Sequence, residues 1–431
     1  MIQSDVPAIG TEADFAADAL REAFGLSGRL EPLPGEHDSN FKVTAADGTR
    51  YLFKIHGTRV VSARAELQAA ALRHLERTAP ALPVPRLFLG RAGAMLPVVR
   101  DAHGAERRLR LTTWLDGTTW ADAAHRAVDA PEALGMLLSW LDRALASFHH
   151  PGLAEPYIWD LARAAELRAD AERMADPARR AAVAAVLDRF IAEVEPRLRG
   201  QPRQAIHGDA NDRNVLLDEA GRVCGLLDFG DMAETWRINE LAVAATYAAL
   251  GAEDPIAAVC PMLDAYCRAH PVAEVEADAL YDLILTRHAV SMAIAARQSR
   301  EQPDNDYLLI SQDALWPSLQ RWGSANRVLA TARLREACCH EPVAARRAIE
   351  RWILANNGGF GPVLPVPLGC ADLAVLPAGA DLDHAGRARP GMSYADRLDA
   401  LLPAIAGRPV GRYAEDRSIY GAQSDDPERR T

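Results

Sequence analysis

The sequence predicts an α+β chain in two lobes, a small antiparallel sheet carrying one helix, then a larger helical lobe with a hairpin at its centre. Three observations predict it. Short β-rich runs joined by Asp47-Gly48 lie in the first third, and Asp-Gly between such runs is a strong hairpin signal. From Pro131 to about Ala325 the apolar spacing turns helical. One β-rich island, Asn214 to Asp228, interrupts that helical text and folds about Asp218-Glu219-Ala220-Gly221. The domains expected are residues 1–114, residues 115–325, and an extension over 326–431 made of a helix, a linker and a tail.

Each element has a local cause. Thr11 is placed to cap a helix whose Phe15, Ala19, Leu20 and Phe24 share one face, and Gly25 stops it. Residues 28–33 lead into the polar turn Pro34-Gly35-Glu36-His37-Asp38-Ser39. Asn40–Thr44 and Tyr51–Ile55 are the arms of the Asp-Gly hairpin. Helical text runs from Ser62 to Arg77, until the prolines at 80, 83 and 85 end it. Leu87–Leu89 and Leu109–Trp114 read as further strands, closed by Asp116-Gly117. Helical spacing then covers 133–150, 159–176, 178–198, 238–250, 256–269 and 276–299. It continues past 325 to about Ala355, before a Gly/Pro-rich linker from Asn356 to Gly369.

Composition narrows the function. With 431 residues, 49% of them hydrophobic and 25% charged, the chain is long enough to bury a core and is not wholly disordered. A net charge of −11 argues against nucleic-acid binding, whose affinity comes from neutralising phosphates. Six cysteines without metal-ligand spacing read as reduced thiols of the cytoplasm, and Cys338-Cys339-His340-Glu341 reads as a helix end. Met1 to Asp5 do not open a signal peptide, and the most apolar helical run, Leu241–Ala252, is too short for a bilayer. A cytoplasmic protein without a membrane partner is expected. Lysine occurs only at Lys42 and Lys54, so arginine supplies the other 46 of the 48 basic residues. Such a bias keeps lysine where a compact point charge is needed and a planar fork would not fit.

The densest chemistry is Ile206-His207-Gly208-Asp209-Ala210-Asn211-Asp212-Arg213-Asn214, with Asp228-Phe229-Gly230-Asp231 following after the hairpin. Phosphoryl transfer needs an aspartate within reach of the attacking hydroxyl, to orient it and take its proton. It also needs two oxygen ligands that hold Mg²⁺ against the phosphates. Asp209 supplies the first, and Asn214 with Asp228, returned by the hairpin, the second. Lys54 lies in an apolar strand, where an unpaired ammonium is costly, so it needs anions. Nucleotide phosphates and Glu66, in the helix inserted into the small sheet, are the natural ones. The Gly35–Ser39 turn is placed to fold over phosphates with backbone N–H groups, although it is not a GxGxxG loop.

Together these residues resemble the aminoglycoside phosphotransferase-like kinases, distant relatives of protein kinases, over roughly residues 15–325, and within them the hydroxylysine kinase branch. The resemblance is carried by Pro34-Gly35-Glu36-His37-Asp38-Ser39-Asn40-Phe41, by His207 to Asn214, by Asp228-Phe229-Gly230-Asp231-Met232 with Trp236 and Asn239-Glu240-Leu241-Ala242, and by Asp304-Asn305-Asp306-Tyr307-Leu308. It implies a bilobal protein-kinase-like fold, with Asp209 as catalytic base, Asn214 and Asp228 on magnesium, and Lys54 with Glu66 on the α/β-phosphates. It also implies Gly35, Ser39 and Asn40 over the nucleotide. The base, from ATP or GTP, would lie against a Leu111–Leu115 hinge that includes Thr113 and Trp114. Arg213 and Glu234 stand where the branch has histidine, both near the substrate. Segments 358–364 and 411–417 resemble the connector of bacterial fusions in which this kinase precedes a peptidase-like domain and a class III pyridoxal-phosphate aminotransferase.

Two function classes follow. The first is a small-molecule kinase, transferring the γ-phosphoryl of a Mg-nucleoside triphosphate to the hydroxyl of an amine-bearing metabolite such as a hydroxylysine-like amino acid or an amino alcohol. An aminoglycoside or other antibiotic phosphotransferase is its alternative within enzymes. Candidate substrate contacts are Asp231, Glu234 and Glu240 for an ammonium, and Arg213 or Arg237 for a carboxylate. An aminotransferase-type enzyme would then be a partner, acting on the phosphorylated amine. The second class is a non-catalytic kinase-like binding module of a larger fusion. The complete set of base, metal ligands and lysine favours the enzyme.

Overall fold

The structure is a computed structural model that describes residues 9–34, 38–57, 62–301 and 312–343. Residues 1–324 form one compact unit and residues 325–431 a second. Gly35, the 304–308 motif and the two connector-like segments lie outside the described residues.

The small lobe opens with helix α1 (Ile9–Phe24), stopped by Gly25 in the left-handed region at φ 68°. Strands β1 (Gly28–Leu33), β2 (Ser39–Ala45) and β3 (Arg50–Ile55) follow, the last two joined through Asp47-Gly48. Helix α2 (Ser62–Thr78) comes next, then β4 (Leu87–Phe88), β5 (Val98–Arg100) and β6 (Glu106–Thr113). The strands assemble antiparallel in the order β1-β2-β3-β6-β4, with β5 also on β6. Alternation divides the faces. Phe41, Val43, Phe53, Ile55, Leu109 and Leu111 pack on Ala16, Ala19 and Leu20 of α1. Asn40, Lys42, Lys54 and Arg110 take the opposite parity, so the polar row is turned away from the α1 core.

The large lobe begins with β7 (Thr118–Thr119) and helix α3 (Ala130–Leu145). A short α4 (Arg168–Glu172) and α5 (Pro177–Arg189) precede a π-turn over Phe190–Val194 and α6 (Glu195–Leu198). The predicted helix over 159–176 is instead a 3₁₀ segment at Leu161–Leu167 followed by the short α4. The predicted helix over 178–198 widens before Pro196, which has no N–H to continue the ladder. Strands β8 (Arg203–Ile206), β9 (Val215–Leu217), β10 (Val223–Leu226) and β11 (Ala233–Trp236) carry the central motifs. β9 and β10 form the expected hairpin, with β7 on its edge, while β8 pairs antiparallel with β11.

Helices α7 (Ile238–Ala248), α8 (Pro255–Ala269), α9 (Glu274–Glu301) and α10 (Gln312–Ser324) complete the lobe. α3 crosses α8 at Gly135, where a Cβ would stand 2.0 Å from the Met262 carbonyl, so only glycine allows this approach. α9 runs through the interior, buried along most of Glu276–Ala295. The α+β, two-lobed architecture is the one the sequence predicts. In the second unit, α11 (Arg327–Ala337) is capped by the Asn326 side chain, and Cys338-Cys339 is its C-terminal end. No helix among the described residues is long and apolar enough to cross a membrane.

Candidate active site

The β8–β11 pair clamps both ends of the motif region, because the loop 207–214 leaves β8 and the loop 227–232 enters β11. His207, fully buried, ties the two loops together. Its Nδ1 accepts from the Asp209 N–H (3.2 Å) and its Nε2 contacts the Leu227 carbonyl at 2.8 Å, which sets the neutral tautomer. Burial drives its pKa down to about 4. The ring meets Phe229 edge-on at 4.8 Å, and Leu227 N–H donates to the Asn214 carbonyl at 2.8 Å. Gly208 adopts φ 76° and donates its N–H to Glu240 at 3.0 Å.

On this frame Asp209 is held from several sides. Arg287 of α9 donates to Oδ1 at 3.1 Å, while the Asn211 and Asn214 amides donate to Oδ2 at 3.0 and 2.7 Å. Burial, with the neighbouring Asp231 charge, pushes the Asp209 carboxyl well above the usual carboxylate range, against the pull of Arg287. Such a carboxylate is fixed in direction and inclined to accept a proton, which is what a general base requires. Asn214 also donates to the Asp209 carbonyl at 2.9 Å, so its Oδ1 is the atom available to a cation.

Asp228 sits at φ 51°, a strained conformation for a residue other than glycine, and its Oδ1 accepts from Gly230 N–H at 2.9 Å. Burial opposes its ionisation, but Lys54 and Arg110 outweigh it and hold the carboxyl below its ordinary value. An ionised aspartate and an amide oxygen are the donor types Mg²⁺ takes when phosphates complete its shell. No cluster of three or more His, Cys, Asp or Glu among the described residues is arranged to hold a metal unaided.

Lys54 is largely buried, and burial together with Arg110 lowers its pKa. Its ion-pair partner is Asp38, at 3.3 Å, rather than the expected Glu66. The reason lies in the turn of α2. Arg64 and Gln68, four residues apart, share the face towards the motif loops, so Glu66, between them, is exposed. Arg64 donates to the Gly230 and Met232 carbonyls at 2.8 and 2.9 Å and stacks on Tyr157 at 4.0 Å. Gln68 accepts from Arg110.

The expected hinge contacts also change. Leu111 points into the α1 core. The Thr113 and Trp114 N–H groups are engaged by the Arg86 and Arg50 carbonyls, at 2.9 and 3.1 Å. Trp114 receives Lys42 over its ring at 4.9 Å. Asn40 lies opposite Lys54, with its amide on the Pro34 carbonyl at 3.1 Å, and Ser39 lies opposite Ile55.

Of the substrate candidates, Asp231 stands beside Asp209 and accepts from the Tyr157 hydroxyl, with burial raising its pKa. Glu240 is fully buried behind the loop, where it holds Gly208 and has its pKa pushed up by burial to about 7. Glu234 and Arg213 are exposed, the first because its β11 parity is opposite to that of buried Ala233 and Thr235. Arg237 is engaged by His270, the Pro271 carbonyl and Glu276 at 2.8, 2.7 and 3.5 Å. Arg237 is thus committed to other partners, while the Arg213 side chain stays exposed. The residues not foreseen are Arg287, Trp159, Tyr157, Arg64, Arg110 and Gln68. Arg287 had a signal, a charge in the middle of the apolar text of α9, where burial demands a partner. It stacks between Trp159 and Tyr247 at 5.0 and 5.4 Å.

An aspartate fixed before a short strand, an amide and a second aspartate returned by a hairpin, and a lysine on an opposing sheet define a phosphoryl-transfer enzyme of two lobes. The chain belongs to the phosphotransferase enzyme family, whose pattern matches residues 29–276, and transfers a phosphoryl group to a hydroxyl. It is 28% identical to hydroxylysine kinase of Mus musculus over 343 residues, 74% of this chain and 91% of the relative. Among solved structures it resembles an amicoumacin kinase in complex with AMP-PNP and Ca²⁺ (TM-score 0.55, 14% identity, 73% of this chain and 94% of that one). It also resembles a microcompartment-associated aminopropanol kinase (TM-score 0.54, 16% identity, 76% and 98%).

Proposed function

We propose that this protein phosphorylates the hydroxyl of a small amine-bearing metabolite, a hydroxylysine-like amino acid or an amino alcohol, with ATP or GTP as donor. The observation that carries the reading is the setting of Asp209. Its carboxylate is fixed by Arg287, Asn211 and Asn214, and it stands beside Asp231 with Glu240 behind the loop. Burial and neighbouring carboxylates raise the Asp209 and Asp231 pKa values, so a cationic amine brought beside this pair favours their ionised forms. The names of the relatives support the same substrate class.

In this reading Asp209 orients the acceptor hydroxyl and takes its proton as the oxygen attacks the γ-phosphorus, while the bond to the β-phosphate oxygen breaks. Lys54 faces the phosphates. Asn214 and Asp228 would hold Mg²⁺, which when bound would neutralise charge on the phosphates. A cytoplasmic setting supplies the nucleotide, and a pyridoxal-phosphate enzyme acting on the phosphorylated amine is a fitting partner. A coupled assay of nucleotide turnover across hydroxy amino acids, amino alcohols and aminoglycosides tests the proposal. Turnover with an amine-bearing metabolite is expected; turnover confined to aminoglycosides, or none with any acceptor, overturns it.

A further inference from the structure

We propose that Arg110 is a second phosphate-binding cation, acting beside Lys54 on the phosphate chain of the nucleotide. The proposal rests on the reading of Lys54 as the phosphate-facing lysine. Register supplies the first argument. Asn40, Lys54 and Arg110 lie directly opposite one another across β2, β3 and β6, so their side chains form one row on the face away from the α1 core.

The second argument is the partner. Arg110 is only 7% exposed, yet its hydrogen bond goes to an uncharged group, the Gln68 side-chain oxygen on α2. The carboxylates that feel its charge, Asp38 and Asp228, are already engaged, Asp38 by Lys54 at 3.3 Å and Gly57 N–H at 3.0 Å, Asp228 by Gly230 N–H at 2.9 Å. A buried guanidinium tied to a neutral amide is expensive unless an anion joins it.

The third argument is repulsion. Lys54 and Arg110 are neighbouring like charges in a poorly hydrated site, and Arg110 helps to depress the ammonium pKa. A di- or triphosphate, carrying several negative charges along one short chain, resolves both costs at once. The ammonium meets it as a point charge, and the fork of Arg110 meets it through paired N–H groups. Gln68 then has a positioning role. Helix α2, expected to reach the phosphate site through Glu66, reaches it through Gln68 and Arg110.

The test is calorimetric titration of the full chain, without acceptor, with Mg-ATP, Mg-GTP, ADP and, as phosphate-free probes, adenosine and guanosine. Arg110→Gln should weaken the di- and triphosphates tenfold or more and leave nucleoside binding within twofold. Unchanged triphosphate affinity overturns the proposal. Equal losses for nucleosides and nucleotides also overturn it, since they mark Arg110 as support for the sheet alone. Should Arg110→Gln fail to fold, Gln68→Met frees the guanidinium without touching the sheet and is read in the same way, with a threefold or greater loss confined to phosphorylated probes. Because no acceptor is present, this pattern stands even where the acceptor panel gives no turnover. A wild-type chain that binds no nucleotide ends both readings.

Discussion

Replacing Arg287 by methionine removes a guanidinium that donates to Asp209 Oδ1 at 3.1 Å and stacks between Trp159 and Tyr247 at 5.0 and 5.4 Å. Taking one partner from a buried ion pair costs about 3–5 kcal/mol, and each cation–π contact about 0.5–1 kcal/mol more. Methionine, of similar length, restores part of the packing, so a net loss of about 3 kcal/mol is expected, or roughly 4–5 °C in Tm for a unit that spans residues 1–324. Catalysis should suffer independently of folding. Asp209 would keep its Asn211 and Asn214 donors on Oδ2 but lose the contact that fixes Oδ1. A misplacement of about 1 Å in a reacting group costs on the order of 10²-fold, so kcat should fall by about that factor. The nucleotide KM should stay within about twofold, because Arg287 meets Asp209, the residue proposed to face the acceptor. Steady-state kinetics on folded variant at 20 °C below its Tm, with Arg287→Lys alongside, read the effect. Lysine should recover part of kcat by restoring a charge. A kcat for Arg287→Met within about threefold of wild type would refute the argument that this ion pair positions the base.

Further outcomes follow from the same geometry. Glu240, with its folded pKa raised by burial to about 7, binds a proton that the unfolded chain releases near 4.5, so its contribution is present at pH 4.5 and is lost as pH rises through 7. Glu240→Gln keeps an oxygen for Gly208 N–H and should flatten the fall in stability between pH 5 and 8 by the order of 2–3 kcal/mol in denaturant titrations; parallel curves for variant and wild type would contradict the burial argument. Lys54→Arg should raise the nucleotide KM by about tenfold or more, since a wider head must enter beside Arg110. Lys42→Arg, which keeps its stacking on Trp114, should be close to silent; equal tolerance at both positions removes Lys54 from the phosphate site. Asp228→Ala should abolish the Mg²⁺-dependent part of thermal stabilisation by nucleotide, and an unchanged shift would place the metal elsewhere.

Much of this architecture is legible in local text. Asp47-Gly48, Gly25 and the Asp218–Gly221 turn mark boundaries because particular residues are needed for their backbone geometry. The motif loops were legible because Asp209, Asn214 and Asp228 are joined by a short hairpin, so sequence proximity becomes spatial proximity. What was not legible depends on partners far along the chain. β8 and β11 are four residues each, and pair across the whole motif region. Arg287 meets Asp209 across 78 residues, and Arg64 meets Gly230 across 166. Lys54 finds Asp38 in place of Glu66 because the rotation of α2, set by which of its residues pack inward, cannot be read from the spacing of one charged residue. Arg287 stood in apolar helical text and Arg213 in a polar loop, a difference that signals burial, but nothing local names Asp209 as the partner.

The central claim is that Asp209 is the base for phosphoryl transfer to an acceptor hydroxyl, and Asp209→Asn tests it most directly. Asparagine preserves the size of the side chain and one oxygen for the Asn211, Asn214 and Arg287 donors, but cannot take the proton. With the best acceptor of the panel, kcat should fall by about 10²–10⁴-fold while calorimetric affinity for Mg-nucleotide remains within about twofold of wild type. A variant that keeps kcat within about threefold, or that loses nucleotide binding in parallel with turnover, contradicts the account.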